Sequence, residues 1–323
     1  MTAGDGADVE QSALTLPRKL ATGGQGEVHE VGGPEGLLFK KYLEPHKVDG
    51  AALAALVALR QGLAPADRQR LDRDTAWPLC RVTDGGRTAG FLMRRAPAAM
   101  TWRSAKGDGR LIELSYLLRP PKAAWQAVRQ PTPAERYALV VSLVDLFQWL
   151  HTMGLVVGDL SQANVLWSVD PHPAVHLLDC DGARITGRPP VLAQADTPDW
   201  LDPKAPPGMV SVDSDRYKAA LMIGRILAQD AYVTPAQPLS PLAGLLDERR
   251  ETAVRRLWEL ADGPYGTRPD LGQWRTALAG RDTIRLIAAQ PAPRPAVDRS
   301  RFDEDVNRRR GTIRLRSEDE AGT

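Results

Sequence analysis

Apolar positions fall in short runs up to about residue 97 and at helical spacing beyond it. Three of the short runs are typical of strands: residues 27–31, 36–42 and 88–93. A Gly-Gly-Pro segment at 32–34 predicts a turn between the first two. An Ala/Leu-rich run at 51–62 predicts a helix within this first part.

The strongest helix signal lies in the second part and opens at Thr132. Thr132 can cap the helix, Pro133 suits its first position, and Glu135 completes a capping box, so a helix is predicted to about Thr152. Two further helices are predicted downstream, at 215–229 and 248–261. A strand-rich first part and a helical second part predict an α+β protein of two lobes with a cleft between them.

Changes in composition divide the chain into four segments. The first residues are small and polar, and the last are rich in Pro and Ala, then in Arg and acids, so both ends are expected to be disordered tails. The strand-rich and helical parts between them form a predicted N-terminal lobe and C-terminal lobe. The predicted boundaries are 1–13, 14–96, 97–285 and 286–323.

Charge and cysteine content exclude several classes of protein. The net charge of +2 on 323 residues gives no field that favours nucleic acid or a membrane surface. The two cysteines, Cys80 and Cys180, form no disulfide framework and suit a reducing compartment. The sequence has no apolar run long enough to span a membrane, and its start lacks a basic signal-peptide region, so a cytoplasmic location is expected.

Two features of the first part could bind phosphate. Gly23, Gly24 and Gly26 lie between strand-like runs and would let backbone N–H groups approach phosphate oxygens. Taken alone, a plain hairpin turn explains these glycines better. Lys40 lies in an apolar strand whose alternation puts Leu38, Lys40 and Tyr42 on one face and Phe39 and Lys41 on the other. A solvated edge lysine is the competing interpretation.

Two acidic segments follow in the second part. Asp159 and Asn164 lie five positions apart, in a loop between apolar segments. A carboxylate can accept the proton of a hydroxyl, and an Asn oxygen can ligate Mg²⁺. Asp179 ends an apolar strand-like run, where a carboxylate also suits a hard cation. The simpler alternatives are a loop cap for Asp159 and a turn at Asp181-Gly182.

In this order, the four elements resemble those of the eukaryotic-type (Hanks-like) protein kinases. The segment at 197–203 is similar to the end of their activation loop, 215–220 to the start of a large buried helix, and Arg268 to a late arginine. The resemblance covers about residues 14–280. The motifs are most similar to those of a bacterial subfamily found beside phosphatase and von Willebrand-type proteins, which suggests such partners in addition to a protein substrate.

The resemblance implies a role for each matched residue. Asp159 is the implied catalytic base, and Asn164 and Asp179 would hold Mg²⁺, whereas Asp181 would not contact the ion directly. Lys40 would pair with the phosphates and so serve both catalysis and nucleotide binding. The residues that would bind ATP are Gly23, Gly26, Val28, Lys40 and Met93.

Several positions depart from the family pattern. No Glu occurs between Glu44 and Glu113, so the helix carboxylate that normally pairs with the strand lysine has no counterpart. Either another group positions Lys40 or the site is impaired. Lys204 stands where a Glu normally pairs with the late arginine, so that pair is expected to be lost and Lys204 to repel Arg268.

The sequence thus predicts an ATP- and Mg²⁺-dependent protein kinase, and Thr197 in the activation segment favours Ser/Thr over Tyr. One alternative is a pseudokinase that acts as a binding module, which the missing helix Glu supports. The other is a small-molecule kinase of the aminoglycoside phosphotransferase type, whose catalytic loop the segment at 158–166 also resembles. The segment at 197–203 argues against the latter.

Overall fold

The computed structural model of the chain describes residues 7–33, 36–193 and 197–281. These residues belong to one compact unit and combine strands in the first part with helices in the second. The predicted α+β class is therefore confirmed. The predicted C-terminal tail, 286–323, lies outside the described residues, as do the first six residues of the predicted N-terminal tail.

The first part builds a six-stranded sheet, within which the predicted strands 27–31, 36–42 and 88–93 all occur. The spatial order of the strands is β1-β5-β6-β4-β3-β2. Neighbours are antiparallel except for β1 and β5, which are parallel. The bounds are β1 Val9–Glu10, β2 Arg18–Thr22, β3 Gly26–Glu30, β4 Leu37–Tyr42, β5 Cys80–Asp84 and β6 Arg87–Arg94.

The described end of the predicted N-terminal tail is ordered, which corrects the expectation of disorder up to residue 13. Val9 pairs with Val82 of β5, and Glu10 accepts a hydrogen bond of 2.8 Å from the Thr83 hydroxyl. The side chains of Val9 and Leu14 pack against the buried cluster on one face of the sheet. A small, polar composition does not reveal such pairing, because the partner strand lies some 70 residues away in the chain.

The two faces of β4 separate as predicted. Leu38 and Tyr42 pack into the large core that includes the helices, whereas Phe39 is buried in a smaller cluster on the opposite face. Lys40 pairs with Val28 on one side and with Phe91 on the other, so it lies on a central strand and not at the edge of the sheet. The register therefore directs Lys40 toward the helical part of the molecule.

Two helices follow β4: α1 (Gly50–Gly62) and α2 (Pro65–Asp74). The α1 helix was predicted from its apolar run, and the Asp49 carboxylate caps it by accepting from the N–H groups of Ala51 and Ala52. The α2 helix was not predicted, because almost every residue in it is polar and Leu71 is its one fully buried side chain.

The second part contributes four helices to the large core: α3 (Pro133–Thr152), α4 (Val212–Ala228), α5 (Glu248–Ala261) and α6 (Leu271–Leu278). The predicted capping box of α3 is present, and α5 has the predicted bounds. The α4 helix begins three residues earlier than the predicted 215–229, where Ser211 caps it. The short α6, which its sequence did not reveal, starts with a second capping box at Asp270.

Three short strand pairs lie between α2 and α4. Their strands are β7 (Thr101–Arg103) with β8 (Gly109–Leu111), β9 (Leu155–Val156) with β12 (Arg184–Ile185), and β10 (Val165–Ser168) with β11 (Ala174–Leu177). The β10–β11 hairpin matters most for the site, because Asn164 directly precedes β10 and Asp179 follows shortly after β11. Among the described residues, no helix is both long and apolar enough to cross a membrane.

His176 on β11 should make the fold less stable in acid. The side chain is 1% exposed, its Nδ1 donates to the carbonyl oxygen of Arg73, and its Nε2 has no partner among the described residues. Burial lowers the pKa of His176 in the folded protein. The unfolded chain therefore takes up a proton on this side chain at about pH 6.5, whereas the folded protein takes it up only at lower pH, so stability falls as pH drops below about 6.5.

We expect the free energy of unfolding to fall by up to about 1.4 kcal/mol per pH unit below about pH 6.5 through this group. Urea unfolding of wild type and His176→Gln between neutral and acidic pH measures the difference. The exposed His172 provides a control variant, His172→Gln, which should keep the wild-type slope. An unchanged slope in His176→Gln would show that His176 is protonated equally in both states.

Candidate active site

Lys40 is held by two carboxylates from the loop after β11. Its Nζ donates to Asp181 Oδ1 at 2.7 Å and to Asp179 Oδ1 at 3.3 Å. Lys40 is 5% exposed and Asp181 is 2% exposed, whereas the Asp179 side chain is 53% exposed. The family pattern has a helix carboxylate that pairs with the strand lysine, and this chain lacks it. Here the carboxylate that pairs most closely with Lys40 is Asp181.

Tyr42 completes this buried cluster from the same face of β4. Its hydroxyl donates to Asp181 Oδ2 at 3.2 Å, so each oxygen of Asp181 accepts one hydrogen bond. Burial and the neighbouring Asp181 raise the pKa of Tyr42, which keeps its hydroxyl protonated. Burial alone would lower the pKa of Lys40, but the charges of Asp181 and Asp179 outweigh it and raise that pKa, so Lys40 is an ammonium.

The backbone after β11 explains why two carboxylates so close in sequence have different surroundings. Asp179 has a φ of +50°, a left-handed conformation that Asp tolerates better than most residues. A single 3₁₀ turn, Cys180–Gly182, follows it. This turn leaves the Asp179 side chain half exposed and buries that of Asp181 beside Lys40.

The predicted catalytic loop places Asp159 between two hydrogen-bond donors. The Asn164 amide donates to Asp159 Oδ2 at 2.9 Å and to its carbonyl oxygen at 2.8 Å, and Thr197 Oγ1 donates to Asp159 Oδ1 at 3.1 Å. Burial raises the pKa of Asp159, and the bonds from Thr197 and Asn164 oppose that rise. Asp159 is thus an oriented, partly desolvated carboxylate, as a general base requires.

Two residues of α4 hold this loop in place, and neither was assigned a role from the sequence. Asp215 accepts from the backbone N–H groups of Val157 and Gly158 at 2.6 and 2.8 Å. Lys218 Nζ donates to the carbonyl oxygen of Gly158 at 2.8 Å. Both side chains are buried. In the sequence, the available signal was an acid and a lysine one turn apart in a helix predicted to be buried, because buried charges need polar partners.

The glycines at 23–26 can be explained by the packing of a hairpin or by the binding of phosphate. Gly23 N–H donates to the Gly26 carbonyl oxygen at 2.8 Å, which closes a hairpin. A Cβ at Gly26 would lie 2.8 Å from the carbonyl oxygen of Lys41, so strand packing alone requires this glycine. Gly24 has no atom within 4 Å of a notional Cβ, so its backbone is open to approach.

Of the other predicted nucleotide-binding residues, Val28 lies closer to the charged cluster than Met93. Val28 lies directly opposite Lys40 in the β3–β4 register and packs partly buried against the large core. Met93 pairs with Leu38 and is buried in that core. The structure therefore brings Val28 next to Lys40 and gives Met93 a core-packing role.

Asn164 and Asp179 provide two oxygen-bearing side chains that fit Mg²⁺. The Asn164 amide nitrogen is used by Asp159, which leaves its amide oxygen as the atom that can bind a cation. The backbones are tied together, since Leu178 N–H donates to the Asn164 carbonyl oxygen at 2.8 Å. No group of three or more His, Cys, Asp or Glu side chains suited to a metal occurs in the described part of the chain. The two oxygen-bearing side chains of Asn164 and Asp179 suit Mg²⁺, because this ion usually takes only one or two protein ligands and completes its coordination with phosphate oxygens and water.

The expectation for Arg268 and Lys204 is wrong. Arg268 is fully buried and pairs with Asp202 at 2.5 Å and with Asp213, and Lys204 pairs with Asp262 at 3.1 Å. The partner carboxylate is present, but it lies two positions before the one that the resemblance indicated. Matching motifs by position missed it, because a turn at 202–205 brings Asp202 inward and leaves Lys204 outside.

A surface cavity of about 420 Å³ lies along α2, beside the end of β6. Its lining residues are Pro65, Arg68, Gln69, Asp72, Arg73 and Arg94. None of them belongs to the Lys40 cluster or to the Asp159 loop, so this cavity gives no support to the predicted site.

A comparison with models of known protein families and one with curated proteins each found no match to this chain. The functional assignment therefore depends on the residues of the site.

Proposed function

We propose that this protein is a kinase of two-lobed fold that transfers the γ-phosphate of ATP to a Ser or Thr hydroxyl of another protein. One observation carries the proposal: Lys40 from the sheet meets Asp179 from the loop after β11, and the neighbouring loop presents Asp159 bonded to Asn164. A strand lysine, a metal-binding carboxylate and a base with its amide partner are the groups that phosphoryl transfer needs.

Each residue has a distinct task in this proposal. Lys40 binds the phosphates of ATP, and Asp159 accepts the proton of the acceptor hydroxyl while Thr197 and Asn164 hold its carboxylate in place. Asp179 and the Asn164 amide oxygen would hold Mg²⁺. When bound, that ion neutralises charge that develops on the transferred phosphoryl group.

A pseudokinase is the second candidate, and one observation favours it. The Lys40 ammonium is buried and already bound by two carboxylates, so phosphate oxygens must compete with Asp179 and Asp181 for it. A protein that binds partners without transferring phosphate could retain this cluster as part of its core.

Incubation with Mg²⁺, γ-labelled ATP and a lysate of cognate proteins separates the candidates. The lysate is first divided into a protein fraction and a small-molecule fraction. We expect label on protein. Label in small molecules alone would indicate a small-molecule kinase, and measurable ATP binding without any transfer would indicate a pseudokinase.

The pH dependence of transfer should report on Asp159. Since only the ionised carboxylate accepts a proton, kcat/KM should rise with pH through the pKa of Asp159, which burial raises. Thr197→Val removes a hydrogen bond that lowers this pKa, so the acidic limb of the pH–rate profile should move to higher pH. Thr186→Val, at an exposed hydroxyl bonded to Gly154, is the control that should leave the pH dependence of kcat/KM unchanged. If Thr197→Val also leaves the acidic limb of this pH dependence unchanged, the limb reflects the titration of a group other than Asp159.

A further inference from the structure

The helix that follows β4 has no acidic residue with which to hold Lys40. The sequence of α1 is Gly-Ala-Ala-Leu-Ala-Ala-Leu-Val-Ala-Leu-Arg-Gln-Gly, and Leu53 and Leu56 bury its inner face in the core. Yet Lys40 is buried, and a buried ammonium needs a paired, hydrogen-bonded carboxylate. The partner must therefore come from another element.

We propose that Asp181 is the positioning residue for Lys40 and that it takes over the task of the missing helix carboxylate. This inference rests on the proposed function, because it assigns Asp181 a role in holding the lysine that binds ATP. Asp181 does not touch the substrate in this proposal. It acts through Lys40.

The geometry gives Asp181 one orientation. One carboxylate oxygen accepts from Lys40 at 2.7 Å, and the other accepts from the Tyr42 hydroxyl at 3.2 Å. Lys40 and Tyr42 lie two positions apart on β4 and so project from the same face. Two donors on one rigid strand thus hold Asp181, and Asp181 in turn fixes the direction of Lys40.

The two carboxylates, Asp181 and Asp179, have different roles in this proposal. Asp181 makes the shorter contact with Lys40 and is 2% exposed, whereas Asp179 lies 3.3 Å from Lys40 and remains half exposed. Asp179, which is half exposed, can therefore bind a cation while Asp181 keeps the ammonium in place. A further consequence is that the position of Lys40 depends on the turn Cys180–Gly182 and not on the placement of α1.

A double-mutant cycle on the full chain tests whether Asp181 acts through Lys40. Asp181→Asn keeps the shape of the side chain and removes its charge, and should lower turnover by about 10²-fold, as misplacing a catalytic group does. Lys40→Met should lower turnover by at least as much. The double variant should match Lys40→Met alone to within about threefold, because the lysine that Asp181 positions is already gone.

The affinities for ATP and for adenosine distinguish a positioning role of Asp181 from a merely structural one. Adenosine lacks phosphates, so Asp181→Asn should leave adenosine affinity unchanged and weaken ATP binding by up to about tenfold. Tyr42→Phe, which removes one hydrogen bond from Asp181 and keeps the ring, should give a smaller loss of turnover, about threefold to tenfold. Asp108→Asn, at an exposed carboxylate away from the cluster, is the matched control and should behave as wild type.

The outcomes are distinguishable. If wild type transfers phosphate and Asp181→Asn does so equally well, or if the effects of Asp181→Asn and Lys40→Met multiply in the double variant, the role of Asp181 is wrong and the proposed function stands. Equal loss of ATP and adenosine binding in Asp181→Asn would likewise overturn it in favour of a structural role. If wild type transfers no phosphate, the proposed function itself fails, whether or not wild type binds ATP.

Discussion

Replacing Asp159 by Asn should lower turnover by about 10²-fold or more and leave ATP affinity and the melting temperature close to those of wild type. The asparagine has the same shape, and its amide oxygen can still accept from the Asn164 amide while its amide nitrogen donates to the Thr197 hydroxyl oxygen, but it cannot take a proton from the acceptor hydroxyl. Steady-state rates of phosphate transfer, with ATP binding measured separately, check the prediction.

The alternative role for Asp159, a cap that holds its loop, predicts another result. Loss of a cap would lower the melting temperature, and turnover would fall only in proportion to the unfolded fraction. Asn164→Asp offers a comparison, since it also disturbs the Asp159–Asn164 contact but keeps a carboxylate at position 159. Wild-type turnover in Asp159→Asn would show that Asp159 is not the base.

Replacing Arg268 by Met should lower the free energy of unfolding by about 3–5 kcal/mol. Arg268 is fully buried between Asp202 and Asp213, and its guanidinium lies over the rings of Tyr217 and Tyr265 at 5.2 and 5.5 Å. Methionine fills part of the volume but leaves two buried carboxylates without their cation. Urea denaturation measures the change.

Lys204→Met is the matched control for Arg268→Met. The Lys204–Asp262 pair is exposed on both sides, so its loss should cost no more than about 1 kcal/mol. Adding Asp202→Asn to Arg268→Met should recover part of the stability, because it removes one of the unpaired charges. Equal destabilisation by Arg268→Met and Lys204→Met would contradict the buried ion-pair assignment.

Local patterns along the chain were sufficient to predict much of the fold. Alternation along β4 gave the correct face for Lys40, and the Thr132–Glu135 capping box gave the correct start for α3, because both depend on residues that are neighbours in sequence. The α2 helix and β1 were missed for the opposite reason. A polar helix and a two-residue strand are stabilised by what they pack against, which the local sequence does not contain.

The partners of the buried charges were harder to predict than the charges themselves. Lys40 and Arg268 were both singled out, but their partners were not. Lys40 pairs most closely with Asp181, to which the motifs gave no such role, and Arg268 pairs with Asp202, two positions before the one that the resemblance indicated. Which of two nearby acids is buried depends on backbone turns such as the left-handed Asp179, and these follow from tertiary packing. A useful signal was available for Lys40: a lysine on an apolar strand needs an acid, and the Asp179-Cys180-Asp181 segment offers two.

The proposed reaction, transfer of the γ-phosphate of ATP to a protein hydroxyl, can be measured by mass spectrometry of a protein fraction after incubation with the purified chain, Mg²⁺ and ATP. The Asp159→Asn variant is run in parallel. We expect phosphate esters on Ser or Thr residues with wild type and their near absence with the variant. Equal phosphorylation by both proteins, or none by wild type although it binds ATP, would show that this chain does not catalyse the reaction through Asp159.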